Sequence, residues 1–233
     1  MDPCMDIRIE SLLDGATRAA GTTVVIDVFR AFTTAAVALA NGAERIVMVG
    51  AVEEALALRA SGVGQICIGE VGGNAPPGFD WGNSPYAIRD RDFTGQTLIQ
   101  RTSAGTQGIV AASHADRLYA GSLVTAGATV RAIARHAPQI VTLVPMGKNG
   151  AARTDEDELC ALHLRNLLEG RPGDADAVRR VIGAGGEAPR FQRDEGPDSH
   201  PGDLVIALDV DRYSFAIRVV LEDGRPVARR ETG

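Results

Sequence analysis

Thr22-Thr23-Val24-Val25-Ile26-Asp27-Val28 is a run of β-branched and apolar residues with no in-out alternation, interrupted only by its aspartate. A strand with one wet face alternates. A strand covered on both faces does not, and such strands belong to parallel sheets flanked by helices. Outward from this run, Ala31 to Asn41 reads as a small-residue helix closed by Gly42, where a left-handed residue ends a helix. Arg45 to Val49 and Gln65 to Ile68 read as further core strands. Between them Val52 to Ala60 is a helix, with Glu53 and Glu54 in the first turn, where the helix dipole favours anions.

The same strand-helix alternation continues through strands at Thr97 to Gln100, Arg117 to Gly121 and Gln139 to Val144. Helices are expected over Thr106 to His114, Leu123 to His136 and Thr154 to Leu168, and Met5, Ile7 and Ile9 alternate as a short edge strand would. Thr154 and Asp157 have the spacing of an acidic capping box. This order specifies a three-layer α/β/α fold with a largely parallel, mixed sheet. Residues 171–202 are rich in Pro, Gly and charge and read as a loop or flap, with a short helix at Asp174 to Ile182. Asp203 to Val210, Tyr213 to Leu221 and Val227 read as a C-terminal antiparallel meander over 203–230 whose apolar faces would allow a homodimer. All of this fits one α/β domain over 1–233.

Composition removes several function classes. With a net charge of −6 and a pI near 5.3, the chain attracts neither a phosphate backbone nor an anionic membrane surface. Lys148 is its only lysine. The three cysteines have neither CxxC nor Cys/His ligand spacing, which argues against a zinc site and fits reduced thiols in the cytoplasm. No apolar run is long enough to span a bilayer, and none has the form of a secretory leader.

Chemistry is expected just past the strand ends, where loops lead into helix N-termini. The first strand leads to Asp27 and Arg30, and the third to the stretch Gly69 to Pro85, with five Gly and three Pro around Glu70, Asp80, Asn83 and Ser84. Arg101-Thr102-Ser103-Ala104-Gly105-Thr106 supplies hydroxyls and a glycine at a strand-to-helix junction, a plausible phosphate cradle, though also what a helix cap would use. Asp27, Glu70, Glu156 and Asp157 are hard oxygen donors suited to Mg²⁺. The last two could equally be a helix cap.

Asp27-Val28-Phe29-Arg30-Ala31-Phe32-Thr33-Thr34, Gly69-Glu70-Val71-Gly72-Gly73, Gly78-Phe79-Asp80-Trp81-Gly82-Asn83-Ser84-Pro85, Thr102-Ser103-Ala104-Gly105-Thr106 and Glu156-Asp157-Glu158-Leu159-Cys160-Ala161 occur in an order and spacing that resembles the 2-phosphosulfolactate phosphatase family. The resemblance runs from about residue 22 to 220. It implies a Mg²⁺-dependent hydrolysis of 2-phosphosulfolactate to sulfolactate and phosphate, a step towards coenzyme M. It also implies Asp27, Arg30 and Asp80 as catalytic residues and Asn83, Ser84, Thr102, Ser103, Gly105 and Thr106 as substrate-binding residues, and Arg101, where this chain departs from the family pattern, is expected to join the substrate-binding set. Asp27, Glu70, Glu156 and Asp157 would be the metal ligands. Two positions depart from the family pattern: Val71 replaces an arginine, and Arg101 to Thr106 replaces a TTTNGT run. Both bear on where the charge for a sulfonate comes from. The alternatives are a phosphatase for another small phosphorylated carboxylic acid, or a non-catalytic anion-binding protein of the same fold.

Overall fold

A computed structural model describes residues 5–192 and 199–232. Nine strands form one mixed sheet: β1 (Asp6–Ile9), β2 (Thr22–Ile26), β3 (Arg45–Met48), β4 (Ile66–Gly69), β5 (Thr97–Arg101), β6 (Arg117–Gly121), β7 (Ile140–Pro145), β8 (Phe215–Glu222) and β9 (Arg225–Thr232). Their order is β1-β7-β2-β6-β8-β9-β3-β5-β4. β2, the strand without alternation, is buried along its whole length between β6 and β7, both parallel to it.

The sheet holds two parallel blocks, β1-β7-β2-β6 and β3-β5-β4, with the β8–β9 hairpin between them. The contacts β6–β8, β8–β9 and β9–β3 are all antiparallel, so the two blocks run in opposite senses. A flat sheet would put their strand ends on opposite edges. Six steps separate β2 from β4 in the strand order, and a twist of roughly 20–25° per strand accumulates to about 120–150° over that distance. The carboxyl ends of β2 and β4 are thereby brought back towards each other.

The curl closes on α2 (Ala31–Ala40), in which Ala31 to Leu39 are all buried. Its side chains pack in one core with Val25 and Val144 of the first block, Met48, Ile68 and Leu98 of the second, and Phe215, Ile217, Val219 and Ala228 of the hairpin. Small residues are what allow a helix to sit there: five of its ten positions are alanine. α1 (Leu12–Arg18), α4 (Pro85–Ile88) and α5 (Gly105–Ala111) share this inner face. On the outer face lie α3 (Val52–Ala60), over Val47, Cys67 and Ile99, and α6 (Ala126–Ala134) and α7 (Asp155–Leu168), over Val24, Ile26, Val141 and Leu143. Cys67 and Cys160 are buried free thiols.

The C-terminal third departs from expectation. Asp203 to Ala207, expected as the start of a meander strand, belongs to a helix, α10 (Pro201–Ala207), with Pro201 in its first turn. The His200 side chain and Asp203 complete a reciprocal cap, with Asp203 accepting from the His200 N–H. The short apolar run Leu204-Val205-Ile206-Ala207 suits either element, and the cap decides it. The antiparallel strands are thus a single hairpin inside the sheet, with both outer sides paired. Its Val220 and Leu221 remain exposed, and a homodimer contact through this face would have to use them. The segment expected as a flap carries α8 (Ala175–Ala184) and α9 (Ala188–Gln192), with Phe191 packed on Leu204. Part of the charged run Arg190 to Glu195, like Cys4, lies outside the described residues.

Gly69 ends β4 with φ +135°, and a Cβ there would overlap the Arg101 carbonyl oxygen on the neighbouring strand. Only glycine fits both conditions. Gly69→Ala is expected to cost about 3 kcal/mol or more of stability in urea unfolding; a change within about 0.5 kcal/mol would show that the β4–β5 register tolerates the displacement.

Candidate functional site

Where the ends of β2, β4, β5 and β7 meet, a cavity of about 230 Å³ is lined by Asp27, Arg30, Glu70, Asn83, Ser103, Lys148, Glu156, Glu187, Arg190 and Ser199, among others. Three carboxylates, Asp27, Glu70 and Glu156, converge from three different strand-helix connections. Asp27 follows β2 and turns back to accept from the Ala31 N–H at 3.0 Å, holding the start of α2. On its other side the β5–α5 junction comes so close that a Cβ on Gly105 would lie 2.8 Å from Asp27 Oδ2. Burial pushes the Asp27 carboxyl up to about 7; the Ala31 and Gly105 N–H groups pull against that, and the charges of Glu70 and Glu156 add to it.

Glu70 is held rigidly. Its Oε1 accepts from the Ser103 N–H at 2.5 Å, and its Oε2 from the Ser103 hydroxyl at 3.0 Å and the Gly73 N–H at 2.7 Å. It joins the Gly-rich loop after β4 to the turn after β5. Glu156 is the opposite case. Its Oε2 is buried with no hydrogen-bond partner among the described residues. Burial raises its pKa; its own backbone N–H and the Thr154 hydroxyl lower it, and Glu187 raises it further.

Several residues expected in the site do other work. Asp157 does not line the cavity: its two oxygens accept from the Val28 and Gly147 N–H groups, both at 2.8 Å, clamping the β2–α2 connection to the β7–α7 loop. The expected capping box is therefore not formed, and Thr154 caps without a side-chain bond. Burial, then the charges of Asp27 and Glu156, raises the Asp157 pKa well above the carboxylate range. Asp80 accepts from Arg59 at 2.9 Å and the Cys67 N–H at 2.8 Å, bracing the Gly-rich loop on α3 rather than facing the cavity. Arg101 likewise points away, donating to the carbonyls of Gly50 and Glu70. Thr102 and Thr106 cap α5 reciprocally, each hydroxyl accepting from the other residue's N–H, so these hydroxyls are turned inward and do not form the expected cradle. Ser84 caps α4.

Ser84 also donates to Asp203 at 2.6 Å, and Asp203 organises the far wall. This carboxylate, buried in α10, further accepts from the Tyr86 N–H at 3.0 Å, the His200 N–H at 3.1 Å and Arg30 Nη1 at 2.7 Å. Arg30 is thereby fixed in the cavity wall, with its guanidinium 5.5 Å from the Phe191 ring centroid. Asp203, read as strand from sequence, and Lys148, Glu187, Arg190 and Ser199 are the site residues that sequence reasoning missed. Lys148 alone carried a signal: it is the single lysine, on a Gly-flanked loop after a strand.

No three His, Cys, Asp or Glu side chains among the described residues are spaced to enclose a metal ion. The set that does face the cavity is Asp27, Glu156 with its unpartnered Oε2, and Asn83, whose buried Oδ1 also lacks a partner. Such a set fits Mg²⁺, which is usually held by one or two carboxylates together with water and substrate phosphate.

Two expectations follow. Asp203→Ala removes a buried carboxylate that accepts from Arg30, Ser84 and two backbone N–H groups and should lower stability by about 3–5 kcal/mol in urea unfolding; a loss below about 1 kcal/mol would mean that these bonds do not hold the wall together. For pH, the folded Asp27 keeps its proton up to about 7, whereas the unfolded residue loses it near 3.9. The stability that proton uptake confers is full below the unfolded value and lost as pH rises to the folded one, and Glu156 and Asp157 act in the same sense. In EDTA, the melting temperature should fall from pH 5 to pH 8, and less steeply for Asp27→Asn; parallel slopes would locate the proton elsewhere.

Comparison with known proteins places this geometry. The family model of 2-phosphosulpholactate phosphatase matches residues 8–182. A probable 2-phosphosulfolactate phosphatase from Bacillus subtilis is 31% identical over 219 residues, covering 91% of this chain and 92% of that one. One from Thermotoga petrophila is 35% identical over 162 residues, 69% of each chain. A further relative of the same description, from Carboxydothermus hydrogenoformans, is 45% identical over 105 residues, 45% of this chain and 43% of its own.

Proposed function

The chain belongs to the 2-phosphosulfolactate phosphatase family, a family of phosphoric monoester hydrolases, and from that premise we infer that it hydrolyses 2-phosphosulfolactate to sulfolactate and phosphate with Mg²⁺ as cofactor. One observation carries the reading: Asp27, Glu70 and Glu156 converge on a cavity that also presents Arg30. Carboxylates alone would repel a phosphate ester, and a cation between them and the ester reverses the sign of that interaction.

Asp27 and Glu156 would hold the ion, with Asn83 beside them. When bound, Mg²⁺ supplies Lewis-acid polarisation of a phosphoryl oxygen. The chain's own residues do the rest. Arg30, pinned by Asp203, offers positive charge to the phosphoryl oxygens without having to reorganise. Glu70 ties the Gly72-Gly73 turn to Ser103, which keeps two cavity walls at fixed separation. Asp157 does the same for the connections carrying Asp27 and Lys148. Because the acids sit on braced loops, their geometry is set before substrate arrives.

The test is phosphate release from a panel of small phospho-acids, each with Mg²⁺ and with EDTA. Turnover of 2-phosphosulfolactate that needs Mg²⁺ is expected. Asp27→Asn should lower kcat/KM by more than the roughly 10–100-fold typical of losing an outer partner of a metal ligand. Mg²⁺ should also raise the melting temperature of the wild type and not of Asp27→Asn. Equal turnover in EDTA would remove the metal from the reading, and preference for a phospho-acid without a sulfonate would change the substrate.

A further inference from the structure

Besides Asp27 and Glu70, the cavity is lined by two cations around a further carboxylate: Lys148, Glu187 and Arg190 face the same space, and the charges of Glu187 and Arg190 reach Glu156. Lys148 Nζ is 3.7 Å from Glu187 Oε1, and Arg190 Nη1 is 3.1 Å from Glu187 Oε2. One carboxylate is thus shared by two cations that come from different parts of the chain. Lys148 stands on the tight turn after β7, where its own N–H donates to the Ala152 carbonyl at 2.7 Å and Gly147 is held by Asp157. Arg190 stands on α9.

Exposed ion pairs are common and contribute little. This group differs in what it leaves unsatisfied. Arg190 Nε is buried with no hydrogen-bond partner among the described residues, and so is the hydroxyl of Ser199, which lines the same cavity. Buried donors normally have acceptors, and an idle pair facing a cavity calls for an acceptor brought from outside. Glu187 leaves Nε idle while holding Nη1 and Lys148. A sulfonate, always ionised and carrying three oxygens at the corners of a tetrahedron, can accept from Arg190 Nε, from the Ser199 hydroxyl and, once Glu187 gives way, from Lys148.

Resting on the phosphatase reading above, we propose that Lys148 and Arg190 form a second anion subsite for the acid group that the substrate carries away from its phosphate ester, and that Glu187 occupies this subsite until substrate displaces it. Val71, where the family pattern has arginine, is exposed and does not line the cavity. The positive charge for the remote acid therefore comes from the β7–α7 turn and α9. Arg101, turned into the β4–β5 connection, supplies none of it.

The test is calorimetric titration of the Mg²⁺-supplemented protein with sulfolactate, with malate, which carries a second carboxylate in place of the sulfonate, and with lactate, which keeps the shared carboxylate and has no acid group at that position. Sulfolactate should bind the wild type at least about tenfold more tightly than lactate, a charged pair's worth. Lys148→Ala, at an exposed side chain, and Arg190→Ala should remove that advantage. Glu187→Gln, which keeps shape and removes the resident charge, should tighten sulfolactate on the order of fivefold, the scale of a surface ion pair. Malate binding as tightly as sulfolactate supports the subsite and assigns it to carboxylates as well; malate resembling lactate supports it and assigns it to the sulfonate. Equal affinities for sulfolactate and lactate, or a sulfolactate affinity indifferent to Lys148→Ala and Glu187→Gln, overturns the proposal. Binding is read without turnover, so a protein that releases no phosphate yet shows this charge dependence would fail the phosphatase reading and keep the subsite.

Discussion

A helix with no exposed face has to be surrounded, and the burial of α2 is the constraint from which the architecture follows. An open sheet covers one side of a helix. To cover more, the nine strands must curl, and they can do so because strand twist accumulates in one hand across the β8–β9 hairpin. Alanine at five of the ten helix positions lets the sheet approach closely from both blocks. The site is a by-product of that packing. Two parallel blocks of opposite sense deliver their carboxyl ends to the N-terminus of α2, and Gln100 at the end of β5 donates to the Ala31 carbonyl across the junction at 2.9 Å.

Bringing those ends together also concentrates negative charge where water is scarce. Asp27, Glu156 and Asp157 all have raised pKa values for the same first cause, burial, with repulsion from neighbouring acids added: Glu70 and Glu156 on Asp27, Glu187 on Glu156, and Asp27 and Glu156 on Asp157. The fold offsets part of this with backbone donors: two N–H groups on Asp157, two on Asp27, and two with a hydroxyl on Glu70. Glu156 Oε2 is left without such compensation. A core selected only for stability would not keep an unpartnered carboxylate oxygen beside two other acids. On the function proposed above, a cation would be the partner this oxygen lacks.

How far the sequence revealed this depended on whether a residue's role was local. Most strands and helices as far as α7 follow hydrophobic period and helix-end residues, so they were legible, although α1 (Leu12–Arg18) was not foreseen, and Asp27, Glu70 and Glu156 were found because acids at strand ends are unusual. The sense of the two blocks was not legible, because it depends on three antiparallel pairings contributed by the last strands of the chain. Thr102 and Thr106 have hydroxyls that serve an anion site or a cap equally well, and Arg101 and Asp80 have charges that serve a catalytic site or brace a loop equally well, so only the direction of the side chain decides. Asp203 was misread for the complementary reason. Its apolar neighbours fit a strand, whereas its partners, Ser84 and Arg30, lie 119 and 173 residues away.

That distance gives Asp203 its part in the site. Ser84 belongs to the Gly-rich loop, Arg30 to the start of α2 and His200 to the chain entering α10, and one buried carboxylate accepts from all three. α10 in turn packs on α9 through Leu204, Ala188 and Phe191, and Phe191 lies beneath the Arg30 guanidinium. The wall carrying Arg190 and Glu187 is therefore docked on the same network that fixes Arg30. On the subsite proposed above, a substrate that drew Arg190 away from Glu187 would act on α9, whose Phe191 touches both Arg190 and Arg30, while the Asp203 carboxylate keeps its own hold on Arg30.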